Sequence, residues 1–187
     1  MVRTSGCIVA ILISLHLVAQ EEMYIRPGLL KASATIAPGK MLNRTVNTIY
    51  LSGFLEYHTE KNFSLRGDTY WYIDGVAQKP TDVMLANASR TYFGAFYHVN
   101  LKNWDNYIGF QPGISFLRFG AISPKISVCP SFALTAGTTF YVWKYFHFFA
   151  NLTYVNSKAY GLNGGSLRAD ELIFSAGLGF QLMTKKN

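Results

Sequence analysis

The chain has 187 residues, 50% of them hydrophobic and 14% charged, with a formal net charge of +7. No apolar run reaches the ~20 residues that a transmembrane helix needs, which excludes a helical membrane protein. The basic excess is modest and no basic, aromatic-rich binding module is present, so nucleic-acid binding is excluded as well. With two cysteines in the chain, a disulfide framework cannot be what stabilises the fold.

The first residues have the pattern of an export signal. Arg3 precedes an apolar run over residues 8–19, and Val18, Ala19 and Gln20 offer a cleavage region before Glu21. We therefore predict a signal peptide over residues 1–20 and a single domain over residues 21–187. Cys7 precedes the apolar run rather than following it, so it does not fit a lipoprotein acceptor, and Cys129 is the one cysteine left after processing.

Residues 48–73 alternate with a period of two, as expected for a β-hairpin. Large apolar residues share one parity, while the charges Glu56, Arg66 and Asp68 share the other. Folding the segment about Lys61 predicts three apolar pairs, Tyr57 with Leu65, Leu51 with Trp71 and Ile49 with Ile73, and it places Glu56 opposite Arg66. A slip of one residue would move the charges onto the apolar face, so the register is well specified.

Five more segments show the same alternation: residues 92–101, 108–116, 132–142, 146–154 and 172–182. An even strand count requires one further strand before Pro38, and residues 23–36 are the stretch that remains. Its pattern is poor. If Tyr24, Arg26 and Gly28 face the lumen, alternation places Lys31 on the lipid-facing side, so Lys31 needs either a bulge in the strand or a position near the membrane edge. About eight strands result. Pro112 leaves a ladder hydrogen bond unmade in its strand.

The face opposite the bulky residues is rich in glycine, serine, threonine and isolated charges, which is too little polarity for a long solvated surface. We therefore predict an all-β, antiparallel transmembrane barrel with a filled polar lumen and lipid outside. Aromatic residues near the strand ends are predicted to form a girdle at headgroup level. They are Tyr57, Phe63, Trp104, Tyr107, Trp143, Tyr145, Phe146 and Phe148.

The connections alternate between short and long. We predict short turns at 60–62, 102–106 and around Lys144, and long loops at 38–44, 76–89, 120–130 and 158–170. This alternation predicts periplasmic turns and termini with longer loops outside the cell. Basic residues in or beside the long loops are candidates for contact with lipopolysaccharide phosphates, although ordinary solvated loop charges are the favoured explanation. They are Lys40, Arg44, Lys79, Arg90, Lys125, Lys158 and Arg168.

The chain resembles the small outer-membrane barrels of Gram-negative bacteria, of the OmpA-type and OmpX-type. The resemblance covers most of the chain after residue 20 but consists of the alternation pattern, without a subfamily motif. It implies an eight-stranded barrel in the outer membrane. These barrels commonly end on an aromatic residue, whereas here residues 183–187 follow Phe180 and Leu182. We expect no soluble domain of the peptidoglycan-binding kind after the last strand.

The predicted lumen holds the residues with chemical potential. Besides the charge pair of Glu56 and Arg66, these are Asp68, His98, Gln111, His147 and Asn151. Barrel-type lipid A deacylases place serine two positions after their histidine, but Phe149 follows His147 there. Paired charges that fill a narrow lumen explain Glu56, Arg66, Asp68 and His98 better than acid–base chemistry does. The spacing of His and Cys indicates no metal site, and no cofactor is predicted.

We therefore expect a non-enzymatic outer-membrane protein with a structural or interaction role, such as an accessory subunit of a larger outer-membrane complex. One alternative is a surface binder or adhesin that acts through its loops. The other alternative is an enzyme that modifies lipid A. The expected partners are outer-membrane lipid or lipopolysaccharide and other outer-membrane proteins.

Overall fold

The computed structural model describes residues 25–77, 85–120, 125–162 and 165–185. The predicted signal peptide, Tyr24 and Lys79 lie outside these ranges. The strands are β1 (Leu29–Met41), β2 (Val46–His58), β3 (Phe63–Ala77), β4 (Leu85–Leu101), β5 (Trp104–Phe119), β6 (Ser127–Tyr141), β7 (Phe146–Leu162), β8 (Gly165–Arg168) and β9 (Glu171–Met183). Among the described residues, no helix is long and apolar enough to cross a membrane.

Eight long strands close into an antiparallel barrel. Strands β1 to β7 pair with their sequence neighbours, and β9 closes the ring by pairing with both β7 and β1. The short β8 pairs with the end of β7 and extends that strand as a hairpin. Closure pairs each of the eight long strands on both sides, which is the condition for crossing hydrocarbon with strands. The predicted fold class is confirmed.

The β2–β3 hairpin has nearly the predicted register. Tyr57 pairs with Leu65, Leu51 with Trp71 and Glu56 with Arg66. The predicted pair of Ile49 and Ile73 is wrong, because the register shifts between Ile49 and Tyr50 and Ile49 pairs with Asp74. The shift inserts one extra residue into β3, and a bulge of this kind is not visible in an alternation pattern.

The first strand is displaced from its predicted position. It covers Leu29–Met41 rather than residues 23–36, and its pairing with β2 runs without a register shift from Leu30 to Lys40. Leu29 and Lys31 both point into the lumen and are 2% and 0% exposed. The predicted parity placed Leu29 and Lys31 toward lipid, so Lys31 needed a bulge or a place at the membrane edge. That parity is wrong: the odd-numbered residues of β1 face the lumen, and Lys31 pairs with Glu56 across the strands without a bulge.

One end of the barrel, here called the turn end, has the short connections 59–62, 102–103 and 142–145. The other end, here called the loop end, has the connections 42–45, 78–84 and 120–126 and the β7–β8 hairpin. The predicted long loops at 38–44 and 158–170 are wrong, because strands occupy most of both. Strand β4 likewise begins at Leu85, and Cys129 lies in β6 with its side chain buried rather than in a loop.

Pro112 interrupts the β4–β5 ladder, as expected. The pairing stops at Tyr92 with Gly113 and resumes at Ala95 with Phe110, while on its other side Pro112 pairs with Phe132 of β6. Gly94 lies opposite this gap, where an added Cβ would come within 2.7 Å of the Gln111 Cα. Glycine is required at position 94 because the two backbones approach so closely.

The outer surface carries bulky apolar side chains on every long strand. Examples are Leu55 at 57%, Trp71 at 65%, Phe93 at 60%, Ile108 at 61% and Leu178 at 53% exposed. A water-soluble protein rarely shows a continuous apolar surface of this size. The surface is therefore suited to hydrocarbon, and the parity predicted from the sequence identifies which side chains face outward.

The loop-end half of the lumen is packed with apolar and aromatic side chains. This loop-end core includes Tyr50, Tyr70, Tyr92, Leu117 and Phe119, each 1% exposed or less. Edge-to-face ring contacts join Tyr50 to Tyr70 and Tyr70 to Tyr92, with centroids 6.0 and 6.3 Å apart. The interior is thus filled by its own side chains, as is usual for barrels of eight strands.

Candidate functional site

The turn-end half of the lumen contains a group of charged and polar side chains, here called the turn-end cluster. Because alternate residues of a strand point inward, five neighbouring strands each supply members to it. None of them is more than 2% exposed. The members are Lys31 of β1, Glu56 and His58 of β2, Ser64, Arg66 and Asp68 of β3, His98 of β4 and Asp105 of β5.

Glu56 lies at the centre of this cluster. Its Oε1 atom is 3.1 Å from Lys31 Nζ, 3.2 Å from His58 Nε2 and 3.1 Å from His98 Nε2. Ser64 also donates a hydrogen bond to the same oxygen at 2.8 Å. A buried carboxylate costs several kcal/mol in lost hydration unless charges and hydrogen bonds replace the water, and Glu56 has both.

Arg66 has Asp68 as its main partner. Its Nη2 and Nε atoms donate to the two Asp68 oxygens at 2.7 and 2.9 Å, whereas its Nη1 atom is 3.7 Å from Glu56. The guanidinium also lies 3.8 Å from the centre of the Phe54 ring. The structure therefore brings Glu56 and Arg66 together, but the two-point contact that holds arginine most strongly is with Asp68.

His98 connects Ser64 to Asp105. Its Nδ1 atom is 2.9 Å from Asp105 Oδ1, and its Nε2 atom is 2.8 Å from Ser64 Oγ. This order resembles a hydrolytic triad, but a nucleophilic serine must be reachable by substrate. Ser64 is 1% exposed and hydrogen-bonded to Glu56. The arrangement therefore forms a closed hydrogen-bond network that orients the ring of His98.

Three other predicted lumen residues also point inward. Gln111 donates to Asp68 at 2.6 Å, while His147 and Asn151 are 0% and 2% exposed. The prediction for Tyr107 is wrong: it is 5% exposed, and its hydroxyl is hydrogen-bonded to the Asn151 side-chain amide inside the barrel. Tyr107 has the inward parity of β5, so its closeness to a turn was misleading.

The other seven predicted girdle residues lie on the outer face near the turn end. Tyr57 is half-buried and the other six, including Phe63, Trp104 and Trp143, are 39% to 65% exposed. Several contact neighbouring rings, with centroids 5.3 Å apart in the edge-to-face pair of Phe63 and Tyr97 and 4.8 Å apart in the tilted pair of Trp104 and Phe140.

Arg90 was predicted beside a loop but lies in the lumen at the loop end. Its Nη2 atom is 2.6 Å from Glu171 Oε2, and both residues are 0–1% exposed. Tyr50 donates to Glu171 at 2.8 Å, and Thr48 donates to it as well. The prediction is corrected because β4 begins earlier than expected, which gives Arg90 the inward parity of Tyr92.

Sequence reasoning missed Lys31, His58, Asp105 and Glu171 as lumen residues. The signal was available for His58 and Asp105, because each has the inward parity of its strand, with Glu56 and Tyr107 respectively. Lys31 lies in the stretch before Pro38 whose alternation is poor, and Glu171 directly precedes the alternating segment at residues 172–182. Their inward direction follows from strand ends that the pattern did not locate.

The predicted loop cations are spread around the loop end. Lys40, Lys125, Lys158 and Arg168 are exposed, and Arg168 is 3.1 Å from Asp170. Arg44 is half-buried, with its guanidinium 5.8 Å from the centre of the Phe119 ring. These cations surround the mouth of the barrel above the apolar belt.

No protein-family model matches the chain, and no curated protein matches it. Solved structures do. The outer membrane protein OprG from Pseudomonas aeruginosa is 11% identical, with a TM-score of 0.58 over 87% of this chain and 100% of that one. Neisserial surface protein A is 14% identical, with a TM-score of 0.57 over 83% and 96% of the two chains.

Ail, the attachment invasion locus protein of Yersinia pestis, is 15% identical, with a TM-score of 0.54 over 83% of this chain and 99% of that one. A second structure of Ail is a complex with the heparin analogue sucrose octasulfate. At these identities the likeness concerns the fold. The chain has the closed eight-stranded barrel fold of small outer-membrane proteins.

Proposed function

We propose that this protein is a bacterial outer-membrane barrel that acts by interaction rather than by catalysis or conduction. The observation that carries the proposal is the combination of a filled lumen and an apolar outer surface. The turn-end cluster and the loop-end core occupy the interior, while residues such as Trp71 and Phe93 face outward. Because the interior is filled, the outer surface and the loop end are the regions that remain available for interaction.

The proposed orientation follows from the two ends. The turn end has the shorter connections, and both β1 and β9 have their outer chain ends there. In outer-membrane barrels short turns face the periplasm, so we place the turn end and both termini there. The loop end, with Lys40, Lys125, Lys158 and Arg168, then faces the outside of the cell.

An accessory role in a larger outer-membrane complex is tested by purification. The protein is extracted from the native outer membrane in mild detergent through an affinity tag, and the mass and composition of the complex are measured. A discrete stoichiometric partner supports the proposal, whereas a lone monomer removes the accessory-subunit role. Stable single-channel conductance in planar bilayers would overturn the filled-lumen argument.

The loop end supports a second candidate, binding of sulfated or phosphorylated saccharides such as lipopolysaccharide. Among the described residues near that end, exposed cations at Lys40, Arg118, Lys125, Lys158 and Arg168 outnumber the exposed carboxylate of Asp74. Clustered cations attract polyanions, and the strength of the attraction falls with salt. The complex of Ail with sucrose octasulfate supports the same chemistry on a barrel of this fold.

A charge-matched comparison tests this candidate. Replacing Lys40, Lys158 and Arg168 by glutamine should weaken binding of immobilised heparin and of lipopolysaccharide vesicles. Replacing the exposed turn-end lysines Lys61, Lys102 and Lys144 by glutamine removes the same charge from the other end. Equal loss in both triple variants would show that net charge alone is responsible and would contradict a loop-end site.

The lipid A enzyme alternative has a direct test as well. The burial of His98 and Glu56 favours a structural role. We therefore expect the mass spectrum of lipid A to be the same in cells with the native gene, the His98→Gln variant and a deletion. A change that follows both the deletion and the variant would establish catalysis.

A further inference from the structure

We propose that Glu56, His58 and His98 form a binding site for a divalent transition metal ion of the zinc class at the turn end of the lumen. One ligand atom from each residue lies within 4.8 Å of the others. Glu56 Oε1 is 3.2 Å from His58 Nε2 and 3.1 Å from His98 Nε2. Ligand atoms held about 2.0–2.1 Å from a tetrahedral zinc ion are about 3.3 Å apart, so the two separations from Glu56 already suit a shared ion.

The side chain of His58 is an independent sign of a ligand. It is 0% exposed, and within the described part of the chain Nδ1 has no hydrogen-bond partner, while Nε2 has only the Glu56 carboxylate oxygen at 3.2 Å, without good hydrogen-bond geometry. Buried polar atoms are nearly always satisfied, and an unsatisfied one costs about 1–3 kcal/mol in similar settings. A metal ion would accept the Nε2 lone pair and provide the missing partner.

His98 has the support that metal-bound histidines usually have. Asp105 accepts from Nδ1 at 2.9 Å and also lies within 3.0 Å through its second oxygen. A carboxylate on one ring nitrogen fixes the tautomer and directs the lone pair of the other nitrogen toward the metal. Ser64 Oγ, 2.8 Å from both Glu56 Oε1 and His98 Nε2, lies beside the remaining coordination position.

Lys31 sets the affinity of this site. Its ammonium lies 3.1 Å from Glu56 Oε1 and 3.4 Å from Asp105 Oδ2, so it competes with a metal ion for the same carboxylate. Removing the ammonium relieves charge repulsion on a dication and frees the carboxylate. The Lys31→Met variant should therefore bind the metal more tightly than the native protein does.

The proposed ion would connect β2 to β4 across β3. His58 ends β2, and its backbone carbonyl accepts from Gly28 at the entry to β1. A metal at this point would fasten these two strands at the end of the barrel that holds the buried cluster of Ile25, Leu29 and Tyr141. Binding to the folded state alone raises stability in proportion to the logarithm of metal concentration.

The test uses the full chain with a tag that lacks histidine, purified in detergent and treated with a chelator. Zn²⁺ is added by calorimetric titration to the folded barrel and, in a parallel sample, during refolding, and Co²⁺ is followed by visible absorption. We expect one equivalent of Zn²⁺, tetrahedral Co²⁺ bands and a higher unfolding temperature with metal. Absence of binding in both samples would overturn the proposal.

The discriminating variants are His58→Gln and His147→Gln. Both histidines are 0% exposed and lie in the lumen, so their removal disturbs the fold to a similar degree. His58→Gln should lose the stoichiometric metal, and His147→Gln should retain it. Equal loss in both, or retention in both, contradicts the site. Asp105→Asn should weaken binding by about 10- to 100-fold, and Lys31→Met should strengthen it.

Discussion

The two halves of the lumen differ in their chemistry. At the turn end, charges such as Glu56 and Arg66 fill the interior behind apolar outer residues such as Leu55 and Leu65. At the loop end, Leu117 and Tyr92 fill the interior, and the outer surface carries cations such as Lys40 beside exposed apolar residues such as Val128.

The comparison shows that two kinds of stabilisation operate in one barrel. The turn-end cluster depends on partners, because each buried charge must be neutralised and hydrogen-bonded. The loop-end core depends on shape and contact area, because apolar side chains lose stability mainly when a cavity is left. Substitutions should therefore have different effects in the two halves.

The largest effect is expected from Glu56→Gln in the turn-end cluster. The change leaves Lys31 without its nearest carboxylate and alters the contacts of His98 and Ser64. Breaking a buried ion pair from one side costs about 3–5 kcal/mol. Unfolding by guanidinium in detergent with a chelator, followed by tryptophan fluorescence, measures this loss. Glu60→Gln in the exposed turn at 59–62 is the control and should change stability by less than about 0.5 kcal/mol.

A somewhat smaller loss is expected from Glu171→Gln at the loop end, about 3 kcal/mol. The change leaves the buried Arg90 guanidinium without its carboxylate at 2.6 Å, but a glutamine oxygen still accepts from Tyr50 and Thr48. The same unfolding experiment applies, with Asp74→Asn on the exposed surface as the control. A loss larger than that of Glu56→Gln would reverse the proposed ranking of the two ion-pair sites.

Leu117→Ala tests the loop-end core by creating a cavity. Leu117 is 0% exposed, and we expect a loss of about 2–4 kcal/mol in the free energy of unfolding. Leu134→Ala removes the same atoms from the outer face, where the side chain is 44% exposed and detergent tails fill the space. We expect less than half the loss there. Similar losses at both positions would argue that the loop-end half is not packed as a core.

The smallest effect on the protein is expected from chemical labelling of Cys129, which is buried in the loop-end core. A maleimide should react slowly with Cys129 in the folded barrel and rapidly after unfolding, because the thiol is shielded by packing. The control is Ile126→Cys in a Cys129→Ser background, since Ile126 is 52% exposed beside the loop. Rapid labelling of Cys129 in the folded protein would place it outside the core.

The parity of the central strand residues could be predicted from the sequence. Glu56, Arg66, Asp68 and His98 have the polar parity of their segments, and the structure places all four in the lumen. The strand ends could not be predicted in this way. Strand β4 extends back to Leu85 over residues whose alternation is weak, and Arg90 was misplaced in consequence.

Lys31 shows a second limit of the pattern. A single lysine among apolar neighbours suggests a residue to be kept at a membrane edge. Its actual environment contains Glu56 of the neighbouring strand and Asp105 of β5, 74 residues away in sequence. The favourable partner exists only when the barrel is closed, so no local pattern reports it.

The sequence by itself determined which side chains of most strands face lipid and which face the lumen, because the side-chain direction in a strand alternates locally. The tertiary structure alone decided which lumen side chains meet. That choice depends on the stagger between strands and on ring closure, which set Glu56 beside Lys31, His58 and His98. The site proposed to bind a metal is therefore a product of closure: each ligand lies on a predictable face, but their convergence is a property of the barrel.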